Sequence, residues 1–330
     1  MRIIATAILY LLIQSAAWSQ DKVFKRQLIL MGTAFEISVV EDRADSLRAQ
    51  ADIQAAIDEI RRIERLISSW DPHSQTSEIN RNAGIKPVKV DKELFDLIKR
   101  SIAISRLTDG AFDITYASMD KIWRFDGSMK HMPSEEEIKK SVEKVGYQNI
   151  VLDEQNHTVF LKKKGMKIGF GGIGKGYAAD KAKQLLIRRG VKAGIINASG
   201  DLNTWGAAPD GKPWTVAIIN PMNKHKAFAY VPISNRAVAT SGDYEKYVVF
   251  NGIRYAHIIN PKTGYPTTGV ISVSVFSPSA ELSDALATAV FVMGVDVGID
   301  RINQMPGVEC IVIDDQGGIH TSKHIELNKL

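Results

Sequence analysis

Ile168-Gly169-Phe170-Gly171-Gly172-Ile173-Gly174-Lys175-Gly176-Tyr177-Ala178-Ala179-Asp180 carries the densest signal in the chain. Its five glycines within eight residues let the backbone approach a ligand closely and adopt positive φ. Lys175 adds a cation, and Ala178, Ala182 and Leu185 fall on one side of a helix that begins here. The N–H groups at the start of such a helix attract anions. Backbone donors, helix end and ammonium together predict a phosphate-bearing ligand between Gly169 and Asp180. A glycine-rich turn that only packs a helix on a sheet stays open on this stretch alone.

Two familiar patterns also match here, and both fail in context. Gly169, Gly171 and Gly174 satisfy G-x-G-x-x-G, but a dinucleotide fold wants an acidic residue about 20 positions on. The chain has Arg188-Arg189-Gly190 instead. Gly169 to Lys175 satisfies G-x-x-x-x-G-K, yet Gly176 stands where a P-loop needs Ser or Thr for magnesium.

Upstream of this stretch the texture is helical. Met31 to Val40 has the β-branched and aromatic residues of a strand. Ile53, Ile57, Ile60, Ile63 and Ile67 then recur at helical spacing, which predicts an amphipathic helix over 46–68. Asp91 is placed to cap a second helix bearing Leu94, Ile98 and Ile102. Ser134 and Glu137 have capping-box spacing ahead of Ile138 and Val142. Downstream, short β-rich runs alternate with glycine turns, as at 214–219, 227–233 and 255–259. A helix over about 282–293 and a strand at 309–313 close the pattern. The reading is α+β: a single two-lobed domain over 20–330, helix-rich in its N-terminal part and strand-rich in its C-terminal part, with the active site in the cleft between.

Three further clusters carry chemistry. Asn197-Ala198-Ser199-Gly200-Asp201 follows a short strand, and its carboxylate suits a ligand hydroxyl or amide, with an Asx-turn as the plainer reading. Thr240-Ser241-Gly242-Asp243 bunches hydroxyls and a carboxylate, and His257 precedes a Pro-Lys-Thr-Gly turn, where it suits proton transfer near neutrality. Asp284 and Thr288 are four apart and share one helical face. Both are hard oxygen donors, as magnesium prefers, although taken alone the pair reads more plainly as an N-terminal Asp with a core-facing Thr.

Composition narrows the class. The 45% hydrophobic and 24% charged residues are ordinary for a globular chain. The net charge of +5 is small and spread along the sequence, with Lys162-Lys163-Lys164 the only run, so no basic face for nucleic acid is expected. The single cysteine, Cys310, lies in an apolar strand-like run and reads as core filler. Arg2, the apolar run Ile3 to Ile13 and Ala17-Trp18-Ser19 have the layout of a signal peptide over 1–19, with an uncleaved anchor as the alternative. An exported protein is therefore expected, in the periplasm or on the periplasmic face of the inner membrane.

Taken together, these segments resemble the ApbE family of FAD:protein FMN transferases. The resemblance runs in the family's order from Met31-Gly32-Thr33 through Ser69-Trp70-Asp71-Pro72-His73-Ser74, Gly110-Ala111-Phe112-Asp113 and the glycine segment to the 284–288 helix. It implies magnesium as cofactor, FAD as substrate, and an acceptor flavoprotein subunit whose Ser or Thr receives FMN, in membrane-associated electron transfer. It also implies metal ligation by Asp284, Thr288 and the Gly174 carbonyl. Lys175 falls near the phosphates; Met31, Trp70, Asp113, Asp180, Asp201 and Thr240 fall on FAD-contacting motifs; and His257 on the motif histidine. By this resemblance Lys175, His257 and Asp284 carry catalysis. An FAD pyrophosphatase or a flavin-binding protein without turnover is the competing reading. Asn260 departs from the family's usual aspartate, Gly174 from its alanine and Trp70 from its tyrosine.

Overall fold

The computed structural model describes residues 21–220, 223–243, 246–325 and 328–329; the expected signal peptide lies outside them. In chain order the elements begin with β1 (Asp21–Leu30), β2 (Thr33–Asp42), α1 (Ser46–Ile67), α2 (Gln75–Arg81), β3 (Val88–Lys89), α3 (Lys92–Leu107) and α4 (Glu135–Ser141). Next come β4 (Ile150–Asp153), β5 (Thr158–Leu161), α5 (Gly174–Arg188), β6 (Ala193–Ala198), β7 (Asp201–Trp205), β8 (Trp214–Asn220) and β9 (Asn223–Ile233). The chain continues through β10 (Ala237–Gly242), β11 (Tyr247–Phe250), β12 (Ile253–Ala256), β13 (Val270–Ser277), α6 (Ala280–Met293) and α7 (Val295–Asn303). β14 (Glu309–Asp314), β15 (Ile319–Thr321) and β16 (Asn328–Lys329) follow.

An eight-stranded sheet in the order β1-β2-β6-β7-β10-β13-β14-β15 forms the frame, and its paired strands run antiparallel. The mixed helix and sheet content agrees with the α+β expectation. One strand begins later than its sequence pattern predicts. Met31 does not begin a strand but sits with Gly32 in the two-residue turn between β1 and β2, where Leu30 pairs with Thr33. Both turn residues have positive φ (50° and 73°), the left-handed pair that a tight hairpin requires. β1 itself is an edge strand whose exposed residues alternate too weakly to stand out in the sequence.

α1 buries Ile53, Ile57, Ile60, Ile63 and Ile67, the predicted stripe, against β2 and α5. α6 is apolar on most sides because it is covered by α5, α7, β10 and β13. The capping box at Ser134 and Glu137 forms as expected at the start of α4. Asp91 precedes α3 but its side chain does not cap it; Asp91 Oδ2 instead accepts from Gln75 Nε2 of α2. The strand expected at 255–259 is β12 and ends at Ala256: His257 N–H still donates to the Lys246 carbonyl, but Lys246 N–H donates back to the Asp243 carbonyl and the ladder stops. Cys310 is fully buried in β14, and burial pushes its thiol up to about 12. Among the described residues no helix is long and apolar enough to cross a membrane.

Candidate active site

Residues Phe170 to Ile173 form the turn that feeds α5, and Gly174 N–H closes it by donating to the Phe170 carbonyl. Lys175 and Gly176 occupy the first turn of α5 and meet α6 at a close crossing. A Cβ on Gly176 would lie 2.8 Å from the Glu281 nitrogen, so only glycine permits this approach. The crossing brings Asp284 to the start of α5. Its Oδ2 accepts from Gly176 N–H at 3.1 Å, so a carboxylate of the protein itself meets the positive end of the helix.

Lys175 Nζ sits between two carboxylates, 3.1 Å from Asp201 Oδ2 and 3.3 Å from Asp284 Oδ1. Asp201 comes from β7, and its Oδ1 accepts from Thr240 N–H of β10. Its Oδ2 is buried and makes no hydrogen bond of good geometry, so the ion pair with Lys175 is its compensation. Burial pushes the Asp201 carboxyl well above the usual carboxylate range, Asp284 pushes the same way, and Lys175 opposes them. For Lys175, burial disfavours the charge, but Asp284 and Asp201 outweigh it and hold the ammonium above the usual lysine range.

This triad forms the floor of a cleft of about 650 Å³. Thr240, Ser241, Thr288 and Ser199 supply hydroxyls along its lining, and Phe112, Trp123 and Ile258 supply apolar wall. His257 stands at the open side, its ring edge-on to Phe125 at 6.5 Å between centroids. Packing against neighbouring groups, with Lys246 nearby, lowers its pKa below 6.5. A neutral imidazole beside hydroxyls is suited to accept a proton at pH 7. The volume lies within the range of pockets that enclose a small organic ligand.

The ApbE family model matches residues 31–312, which include every one of these elements. The chain belongs to the ApbE family. The FAD:protein FMN transferase of Treponema pallidum is 30% identical over 309 residues, spanning 88% of this chain and 84% of that protein. The FAD:protein FMN transferase of Escherichia coli K12 is 31% identical over 80% of this chain and 76% of its own length. Among solved structures, the ApbE protein of Thermotoga maritima superposes with a TM-score of 0.82 at 34% identity, covering 92% of this chain and 97% of that one. The Pseudomonas stutzeri flavinyl transferase ApbE gives 0.80 at 26% identity, covering 92% and 95%. An ApbE chain is a transferase enzyme.

The ApbE fold brings together some of the expected residues and separates others. Lys175, Asp201, Thr240, His257, Asp284 and Thr288 line one cleft. Asp113 also lines it, but its carboxylate serves the loop: Oδ1 accepts from the Thr115 backbone and hydroxyl, and Oδ2 from Tyr147 N–H. Trp70 is outside the lining and 84% exposed, with Lys121 Nζ 5.2 Å from its ring centroid. Met31 and Gly174 are also outside it; Gly174 is buried beneath Ile67, Phe170 and Met31. Asp180 does not face the cleft at all. It binds backbone N–H groups of α6, and Asp243 is likewise turned away to pair with Arg254. Gly200 N–H donates to Asn197 Oδ1, so the Asx-turn reading of that loop holds alongside Asp201's place in the cleft.

Sequence reasoning missed Tyr116, Lys121 and Lys246. Tyr116 is partly exposed and reaches the cleft with its hydroxyl over Gly171. A tyrosine in a short 3-10 turn carries no periodic signal, although Tyr116 lies only three residues past Asp113.

Proposed function

We propose that this chain transfers FMN from FAD to a Ser or Thr hydroxyl of an acceptor protein, releases AMP, and requires magnesium. The observation that carries the reading is Lys175 held between Asp201 and Asp284 at the floor of a hydroxyl-lined cleft. Such a floor favours an anionic ligand together with a hard cation, and the ApbE relatives are named for chemistry on FAD.

The residues fit magnesium. Two carboxylates and the Thr288 hydroxyl are hard oxygen donors, and the ammonium of Lys175 occupies the place where their charge calls for a cation. Asp284 and Thr288 would hold the ion, with Asp201 facing them; the Gly174 carbonyl, which the resemblance offers as a further ligand, belongs to a residue outside the cleft lining. When bound, magnesium supplies charge neutralisation on the phosphoryl oxygens.

The chain's own residues do the rest. Lys175 offsets the negative charge of the pyrophosphate, and positioning of this kind supplies most of the catalysis in phosphoryl transfer. The acceptor hydroxyl oxygen bonds to the phosphorus on the FMN side while the bridging P–O bond breaks. AMP departs with the bridging oxygen, and the hydroxyl proton passes to His257. The apolar N-terminal run supports export, so the acceptor would be an electron-transfer subunit exposed outside the cytoplasm.

Incubation with FAD, magnesium and an acceptor bearing a Ser or Thr flavinylation segment tests the reading. AMP in solution and fluorescent flavin that stays on the denatured acceptor are expected. Free FMN with AMP would replace transfer by hydrolysis, and FAD binding without AMP would exclude both. Asp284→Ala should abolish magnesium-dependent AMP release; retained release would remove Asp284 from the metal site.

A further inference from the structure

Three charged groups define the cleft floor, and each stands on a different element: Lys175 on α5, Asp201 on β7 and Asp284 on α6. One side chain outside the cleft binds all three elements at once. Asp180, half-buried on α5, accepts through Oδ1 from Ala280 N–H at 3.0 Å and from Asn203 Nδ2 at 2.6 Å. Its Oδ2 accepts from Glu281 N–H at 2.9 Å.

The partners lie close in sequence to the working groups. Asn203 is fully buried and two residues from Asp201, on the same face of β7. Ala280 is one helical turn before Asp284. The first amides of α6 have no partner inside the helix. Asp180 satisfies two of them, and the Ser279 hydroxyl accepts from the third, Leu282 N–H. Asn203 is itself fixed from the other side, where its Oδ1 accepts from Lys183 Nζ at 3.0 Å. Its amide therefore has a single orientation in which to donate to Asp180.

We propose that Asp180 is the positioning residue of the site, a clamp that sets the mutual placement of Lys175, Asp201 and Asp284 without touching the ligand. The inference rests on the magnesium-dependent reading above. A carboxylate is required because three donors converge on it. An amide at this position has one oxygen, and its NH2 would face another donor. Supporting residues of this kind typically change metal affinity or activity by about 10–100-fold when replaced.

The test compares Asp180→Asn with Asp52→Asn. Asp52 pairs with Arg189 at the far end of α5, so its loss weakens the fold without touching the clamp. Magnesium binding in the presence of FAD is titrated by calorimetry, the magnesium dependence of AMP release is measured, and Tm is recorded for each protein. Asp180→Asn should raise the half-saturating magnesium concentration by about 10–100-fold, while Asp52→Asn lowers Tm and leaves that concentration unchanged. Should Asp180→Asn fail to fold, Asn203→Ser removes the β7 arm together with the Lys183 contact, leaves both α6 amides on Asp180, and should shift the same quantity in the same direction by less. Wild-type magnesium dependence in the folded clamp variants, or an equal shift in Asp52→Asn, would overturn the proposal. If the wild type binds magnesium and FAD but releases no AMP, the transfer reading fails, and the calorimetric comparison still decides the clamp.

Discussion

Replacing Gly176 by alanine asks whether the spacing of α5 and α6 sets the chemistry. The new methyl would lie 2.5 Å from the Ala280 carbonyl carbon and 2.8 Å from the Glu281 nitrogen. Backbone atoms cannot rotate aside. Ordinary contact begins at 3.4 Å, so α6 has to retreat by about 1 Å. Overpacking of this kind costs about 1–3 kcal/mol. The better helix propensity of alanine returns about 1 kcal/mol. Because the obstruction is rigid, the cost belongs at the upper end, which leaves a net loss of about 2 kcal/mol and, for a domain of this size, a fall in Tm of roughly 3 °C. The same retreat pulls Asp284 from Lys175 and from the Gly176 N–H, and a 1 Å misplacement costs about 10²-fold in rate. Thermal unfolding by circular dichroism and AMP release at saturating FAD and magnesium measure the two effects. A lowered Tm with a rate within threefold of wild type would mean that the crossing does not set the site. No change in either quantity would mean that the two helices do not meet as described.

The other expectations concern protons. His257 has a pKa lowered below 6.5 by the groups packed around its ring and by Lys246, so it is neutral at pH 7 and gains its proton only as the medium becomes more acidic. Transfer should therefore decline on the acid side below that value, and His257→Ala should lower the rate by about 10²–10⁴-fold and abolish this limb. An unchanged acid limb in the variant would assign the proton to another group. Glu93 is held down to about 2, first by its hydrogen bonds from Arg62, with burial opposing and Tyr177 assisting. Its folded value is below the ordinary 4.5, so it adds stability that is present above 4.5 and lost as pH falls through about 2. Glu93→Gln should narrow its stability gap from wild type across that acid window, as read from denaturant midpoints. A gap independent of pH would refute the linkage.

Much of the site was legible because its signals are local. Asp284 and Thr288 share a face by spacing alone, and they do line the cleft. The glycine density around Lys175 announced a close approach, and the closest one is to α6 rather than to a ligand alone. The resemblance placed Asp180 on a flavin-contacting motif, and here the fold decided otherwise. A carboxylate in the first turns of a helix looks the same in sequence whether it meets a substrate or the amides of another helix. Trp70 was equally ambiguous, since an aromatic after a helix gives no sign of which way it projects.

By itself the sequence determined the elements whose pattern repeats over short distances. The isoleucine stripe made α1, the Ser134–Glu137 box started α4, and the β-branched run around Cys310 made β14. These rest on helix and strand periodicity, which each segment carries within itself. Only the tertiary structure decided that Lys175, Asp201 and Asp284 meet, because the ion pairs join elements far apart in the chain. It also turned Asp180 inward, since the first amides of α6 needed acceptors and Asp180 was the carboxylate packed against them. Burial of unpaired polar groups is costly, so a fold settles such partnerships globally, after the local patterns have settled the elements.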